Sequence, residues 1–115
     1  MFDVEATLKR LGNDRQLFAD LVQFFLEDYP VLMDRLRQGL QDRDLAEVAL
    51  AAHSLKGLAA NFDALDVVDA AAVIETAGHQ RDLQAATSAV TTLERGTSRL
   101  RDALIGYRNQ QQPTS

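Results

Sequence analysis

Hydrophobic residues recur along this 115-residue chain at steps of three and four, the spacing that places side chains on one face of an α-helix. The clearest stripe lies near the middle of the chain and comprises Leu45, Val48, Ala52, Leu55, Ala59 and Phe62. A longer stripe runs from Leu83 to Tyr107. No segment alternates apolar and polar residues as a strand does, so the pattern predicts an all-α fold: an antiparallel four-helix bundle with a short N-terminal helix.

Capping residues set the predicted boundaries of the first two helices. Asp3 can cap the short first helix, and Gly12 stands where a helix commonly ends in a left-handed residue. Asn13 or Asp14 then caps the second helix. Pro30 lies inside that helix, where it offers no N–H donor, and predicts either a kink or a division into two helices. We favour a kink, because the apolar stripe continues in phase beyond the proline.

Similar signals bound the later helices. The apolar pattern breaks at residues 39–43, after which Asp44 can cap the third helix. Glu47 stands at the position that completes a capping box with that aspartate. Asp63 is expected to end the third helix or to cap the fourth, and Gly78 to end the fourth.

The length of the chain predicts one domain, which we assign to residues 1–108. Residues 109–115, NQQQPTS, are polar and lack periodicity, so this segment is predicted to be a disordered tail.

Composition and charge exclude several classes of function. The chain has no cysteine, so neither a disulfide framework nor a thiolate metal site is possible. Twelve basic residues against seventeen acidic ones give a net charge of −5, which repels a phosphate backbone, and no basic cluster is apparent. No run approaches the roughly 20 apolar residues that span a bilayer. A cytoplasmic protein that binds neither nucleic acid nor membrane is expected.

The chain contains two histidines, His53 and His79. They are not accompanied by carboxylates at ligand spacing, so no metal site is predicted. His79 stands at a predicted helix end, where the helix dipole favours a basic residue, and we expect no chemical role for it.

His53 is predicted to point away from the core. On a helical wheel it lies about 130° from the centre of the buried stripe of the third helix. Its neighbours on that face are small or polar for the most part: Ala49, Leu50, Lys56, Gly57, Ala60 and Asn61. Gly57 costs a helix interior about 1 kcal/mol relative to alanine. The pattern therefore indicates a cleared surface around an exposed imidazole, although a solvated histidine without a task would also face outward.

An exposed imidazole with little around it is suited to phosphoryl transfer between two proteins. Its neutral form is abundant near pH 7, so a ring nitrogen can attack phosphorus without a separate base. Lys56, three residues later, can place a positive charge near the phosphoryl oxygens. The alternative for Lys56 is an ordinary lysine at the edge of the core stripe.

The stretch AHSLKGLAANFDA, residues 52–64, resembles the histidine-containing phosphotransfer (HPt) domain of two-component phosphorelays. Residues 3–36 look like the first two helices of that family, and AAAVIETAG looks like the helix that follows the motif. The resemblance covers nearly the whole chain to about residue 108.

The resemblance implies a phosphocarrier without an ATP site of its own. His53 would accept a phosphoryl group from the aspartate of a receiver domain or from a kinase, and pass it to an aspartate of a response regulator. Lys56 would be the charged partner of the phosphohistidine. The partner would dock on Ala49, Leu50, Gly57, Ala60 and Asn61. This chain would bind no cofactor, since Mg²⁺ would be held by the receiver domain, and it is expected to be a monomer.

One position departs from the family pattern, because Asp63 stands where the family commonly has glycine. A carboxylate there adds negative charge near the docking surface. It favours an alternative in which the chain is an adaptor or inhibitor that docks receiver domains without carrying phosphate. A third possibility is the phosphoacceptor domain of a larger hybrid or chemotaxis-type kinase.

Overall fold

The computed structural model describes residues 3–111, without the side chain of Gln111, and contains five α-helices in that range. They are α1 (Val4–Arg10), α2 (Arg15–Gln41), α3 (Leu45–Ala60), α4 (Leu65–His79) and α5 (Leu83–Gln111). No described residue lies in a strand. The all-α prediction is confirmed. None of these helices combines the length and apolar character needed to cross a membrane.

Four helices pack in a closed order: α2 against α3, α3 against α4, α4 against α5, and α5 against α2. This order is compatible with the predicted antiparallel four-helix bundle with a short N-terminal helix. The rings of Phe18 and Phe25 each meet Phe62 edge-on, with centroids 5.8 Å apart. The other large side chains that are fully buried include Met33, Leu36, Leu55, Ile74, Leu93 and Leu104. The stripe predicted near the middle of the chain contributes Val48, Ala52, Leu55, Ala59 and Phe62 to this core, and the stripe from Leu83 to Tyr107 contributes residues of α5.

Helix α2 is one helix of 27 residues that continues through Pro30. The proline is exposed, so its ring faces solvent rather than a packed neighbour. The division into two helices that the sequence left open does not occur.

The four turns between helices close in the same way. In each, a residue with positive φ lets two successive N–H groups return to carbonyls of the preceding helix, the pattern of a Schellman motif. The residues are Gly12, Arg43, Asp63 and Arg81, with φ between 54° and 71°. In the turn after α2, Asp44 N–H donates to the carbonyl of Gly39 at 2.8 Å. Glycine occupies only one of these four positions.

The predicted aspartate caps are present. Asp3, Asp14 and Asp44 each accept a backbone N–H from three residues ahead. Asp82, which was not among the predicted caps, does the same at the start of α5. The prediction of a capping box at the start of α3 is wrong, however. The Asp44 N–H is already taken by Gly39, and the Glu47 carboxylate instead pairs with Arg35 at 2.6 Å. Asp63 does not cap α4 either, since the N-cap of that helix is Ala64 and no side chain caps it.

The predicted end of α4 at Gly78 is also wrong. The helix continues to His79 and turns at Arg81. Gly78 is buried, and a Cβ atom there would lie 3.0 Å from the Leu45 carbonyl oxygen and 3.0 Å from the Ala49 Cβ. The glycine therefore allows α3 and α4 to approach closely.

Helix α5 extends to Gln111, so the first part of the segment predicted as a disordered tail, residues 109–111, is helical. Residues 112–115 lie outside the described residues. The predicted boundary at residue 108 therefore falls within a helix.

Candidate functional site

His53 lies in the second half of α3, on the side away from the core. Helix α3 packs against both α2 and α4, so only a narrow face of it reaches the surface. The His53 side chain is 66% exposed. The predicted outward orientation of the histidine is confirmed.

A carboxylate from the neighbouring helix holds the imidazole of His53. Glu75 of α4 lies with one oxygen, Oε2, 2.9 Å from His53 Nδ1, and its other oxygen, Oε1, accepts from Lys56 Nζ at 2.6 Å. The Glu75 side chain is only 17% exposed. The preceding residue, Ile74, is fully buried and fixes the rotation of α4 that presents Glu75 to α3.

The hydrogen bond from Lys56 lowers the pKa of Glu75 below its ordinary value. Burial opposes this shift, and the hydrogen bond from His53 adds to it. Glu75 is therefore ionised at neutral pH, and an ionised carboxylate can only accept hydrogen bonds. His53 Nδ1 must carry the proton that it shares with Glu75, which leaves the lone pair of the neutral ring on Nε2.

Lys56 is brought to the site as predicted, one helical turn from His53, but its ammonium group contacts Glu75. Nζ has three N–H donors, and Glu75 uses one of them. A role for Lys56 beside a phosphoryl group stays a prediction.

Gly57 lies on the same exposed face, and a Cβ atom added to it would have nothing within 4 Å. Its backbone is not in the left-handed region. Neither packing nor conformation therefore requires glycine at this position. Its effect is to leave the surface beside His53 open.

The other residues of the predicted docking surface differ in exposure. Leu50, Gly57 and Ala60 are exposed. Asn61 is half-buried, and its carbonyl accepts from Arg10. Ala49 was expected on this face but is buried against α4 at Gly78. It lies at the edge of the stripe, and the close approach of the two helices covers it.

Helix α2 adds apolar surface beside α3 that the α3 pattern did not reveal. Val31 is 58% exposed, and it lines a groove of about 500 Å³ between the two helices together with Gly57 and Asn61. Leu50 is 60% exposed on the α3 side. We call Val31, Leu50, Gly57, Ala60 and Asn61 the α2–α3 face.

The carboxylate of Asp63 is directed to α1. It accepts from Arg10 Nε at 2.9 Å and lies 3.3 Å from the hydroxyl of Thr7. That hydroxyl also donates to the carbonyl of Phe62 at 3.2 Å. Asp63 thus ties α1 to the turn between α3 and α4, and the Arg10 guanidinium offsets its charge.

His79 Nε2 lies 3.8 Å from Glu75 Oε2, one helical turn away on α4. The sequence indicated only that His79 lies at a helix end, and did not predict that it lies beside the His53 cluster. Among residues 3–111, no group of three metal-ligating side chains is arranged to hold a metal ion.

Glu75 is the functional residue that the sequence reasoning missed. It entered the sequence analysis only as part of the stretch AAAVIETAG, with no role assigned to it. An acidic residue directly after a core position is the available signal, because a carboxylate at the edge of the core needs a partner. Which helix supplies that partner is not readable from the local pattern.

Residues 20–109 match the family model of the Hpt domain. The fold is similar to that in the crystal structure of histidine-containing phosphotransfer protein B (HptB) from Pseudomonas aeruginosa PAO1, with a TM-score of 0.87. The two sequences are 21% identical, and the alignment covers 96% of each chain. No curated protein sequence matches the chain.

Proposed function

This chain belongs to the Hpt domain family, and from that premise we propose that it carries a phosphoryl group on His53 within a two-component phosphorelay. The group arrives from a receiver-domain aspartate or a kinase and leaves to an aspartate of a response regulator. The chain takes part as a carrier and needs no ATP site of its own. The observation that supports His53 as the carrier is its hydrogen bond to Glu75.

That hydrogen bond defines the transfer step. The lone pair on His53 Nε2 attacks the phosphorus of an aspartyl phosphate; the N–P bond forms as the P–O bond to the aspartate breaks, and the aspartate leaves as a carboxylate. The proton stays on Nδ1, so the ring gains positive charge. The Glu75 carboxylate, 2.9 Å away, stabilises that charge.

Lys56 supports the same step from the other side of Glu75. Its ammonium is close enough to share Glu75 with His53 and retains N–H donors for phosphoryl oxygens. The α2–α3 face would receive the partner, since its exposed apolar side chains and the open surface at Gly57 allow another backbone to come near His53. The divalent metal that the reaction needs, Mg²⁺, would be brought by the receiver domain.

The test is transfer of radiolabelled phosphate from a receiver domain phosphorylated with acetyl phosphate. We expect label on the unmodified protein that is lost in acid and stable in alkali. His53→Gln should abolish it, whereas His79→Gln, the matched control, should retain it. Label that persists on His53→Gln protein would exclude His53 as the carrier.

A docking adaptor without phosphate is the second candidate, which was suggested by the extra carboxylate of Asp63. The Arg10–Asp63 ion pair weakens that reason, because the carboxylate is held against α1 by a positive charge. The adaptor predicts that the His53→Gln variant keeps full signalling output in cells. The carrier predicts that this variant loses it.

A further inference from the structure

A groove of about 360 Å³ opens at the end of the molecule where the turn after α2 lies beside the turn after α4. Arg43 lines it from the first turn, and Arg81 from the second. His79 and Asp44 also line it. We call this the basic groove.

Both arginines of the basic groove are available to a ligand. Arg43 and Arg81 are exposed, and neither guanidinium group has a hydrogen bond or ion pair among the described residues. Several other arginines differ in this respect: Arg35 pairs with Glu47, and Arg99 pairs with Asp66. Two unpaired guanidinium groups on one groove form a local positive surface on a chain whose net charge is −5.

Asp44 is the carboxylate among the residues that line this groove. Its Oδ1 accepts the backbone N–H of Glu47 at the start of α3. Two arginines against this one carboxylate leave the lining with a net positive charge.

The basic groove is linked to the His53 cluster through His79. His79, which lines the groove, has Nε2 3.8 Å from the same Glu75 oxygen that holds His53 Nδ1. The groove lies toward α4, whereas the α2–α3 face lies on the other side of His53. A protein docked over His53 can contact both surfaces.

We propose that the basic groove binds a carboxylate-bearing segment of the protein that docks at His53. The proposal rests on docking at His53, as described for the proposed function. Guanidinium groups pair with carboxylates in a bidentate geometry, which fixes orientation as well as adding affinity. A positive groove also speeds encounter with an acidic partner surface, which the net negative charge of this chain would otherwise slow.

The test compares two double variants that remove the same charge. Arg43→Gln with Arg81→Gln changes the basic groove; Arg95→Gln with Arg108→Gln changes two other arginines that have no ion pair among the described residues. Both are made in the His53→Gln background, so that binding of a receiver domain is measured by calorimetry without transfer. Circular dichroism checks that each variant folds.

We expect the groove variant to weaken the Kd about tenfold at an ionic strength of about 0.05 M, with most of the difference lost at about 0.5 M. The control pair should change the Kd by less than about twofold, as distant exposed charges are screened. Charge reversal, Arg43→Glu with Arg81→Glu, should weaken binding further.

Equal effects of the two double variants would overturn the proposal, because net charge alone would then explain them. Inorganic phosphate at millimolar concentration that occupies the groove as strongly as the receiver domain does would also overturn the proposal, since the groove would then be a general anion site. If the groove variant weakens binding but the parent protein takes no label on His53, the carrier function is refuted and the groove proposal stands. If the parent protein takes label on His53 but the groove variant binds unchanged, the groove proposal is refuted and the carrier function stands. Failure of a receiver domain to bind the parent protein refutes both.

Discussion

Gly57 differs from three other glycines of the helices in what surrounds it. Gly39, Gly78 and Gly96 each face an adjacent element so closely that a Cβ atom would lie 3.0 Å from another heavy atom. Gly57 has open space instead. Glycine in a helix lowers stability, and a packing contact explains the first three. No packing contact explains Gly57, whose open surface lies beside His53.

This contrast predicts opposite effects of alanine at two positions. Gly57→Ala should raise the free energy of unfolding by about 0.5–1 kcal/mol, because alanine restricts the unfolded chain and meets no neighbour. Gly78→Ala should lower it by about 1–3 kcal/mol, because the methyl group would press on α3. Urea denaturation measures both. A destabilising Gly57→Ala would mean that this position has a packing role.

A longer side chain at the same position tests function separately from stability. Gly57→Gln should fold and yet slow phosphoryl transfer to His53, since the side chain would occupy the proposed docking surface. Gly106→Gln is the matched control, because Gly106 is also helical with no neighbour around its Cβ position. Equal transfer rates in the two variants would contradict the role given to the open surface.

Glu75 gives the protein a pH dependence with a definite sign. Its pKa is lowered in the folded state, first by the hydrogen bond from Lys56. The stabilisation is therefore present above the ordinary glutamate pKa of about 4.3 and is lost as the pH falls through the lower folded value. Glu75→Gln should reduce stability near pH 7. Between neutral and acidic pH, the variant should lose less stability than the parent protein does.

Denaturation curves between neutral and acidic pH measure this difference. Glu5→Gln is the control, since Glu5 is an exposed glutamate of α1 without a described ion pair. Parallel pH profiles for Glu75→Gln and the parent protein would contradict the assignment of the shift to this cluster.

Helix α2 contains Pro30 in its interior, where the ring removes an N–H that would donate to the carbonyl of Leu26. An interior proline costs a helix up to about 3 kcal/mol. Because Pro30 is exposed and no core side chain depends on it, Pro30→Ala should raise the midpoint of thermal unfolding. A lower midpoint would show that the fold uses the shape that the proline gives to α2.

Helix ends show where reasoning from local sequence succeeds. Asp3, Asp14 and Asp44 were placed correctly as caps, because the contact between cap and N–H spans three residues. The expectation that a glycine ends its helix was wrong at Gly78, because that glycine allows a close contact with α3 and does not form the turn. The turn itself is made by Arg81, a residue that gives little local indication of a positive φ.

At the scale of the whole molecule, the helices differ in how firmly they are held. Helix α1 has seven residues, of which Thr7 and Leu8 are buried, and it is tied to the turn after α3 by Thr7 and Arg10. Helix α3 has six buried residues and packs against two helices. Native-state hydrogen exchange should therefore show α1 amides opening well below the global free energy of unfolding and α3 amides near it. Equal protection in both helices would contradict this.

The same arrangement places His53 between two surfaces of different chemistry. The α2–α3 face is apolar and open, and the basic groove carries Arg43 and Arg81. Neither surface belongs to a single helix. Each forms because α3 lies between α2 and α4, so the surroundings of His53 depend on the packing order of the bundle.

The sequence by itself determined the all-α class, the stripes that form the core, most of the caps and the outward direction of His53. These properties follow from contacts between residues three or four positions apart. Tertiary structure alone decided that Glu75 holds His53, that Ala49 is covered, and that Arg10 pairs with Asp63. Each of these contacts joins different helices, and the register that brings two helices together depends on the packing of the whole core rather than on the local pattern of either one.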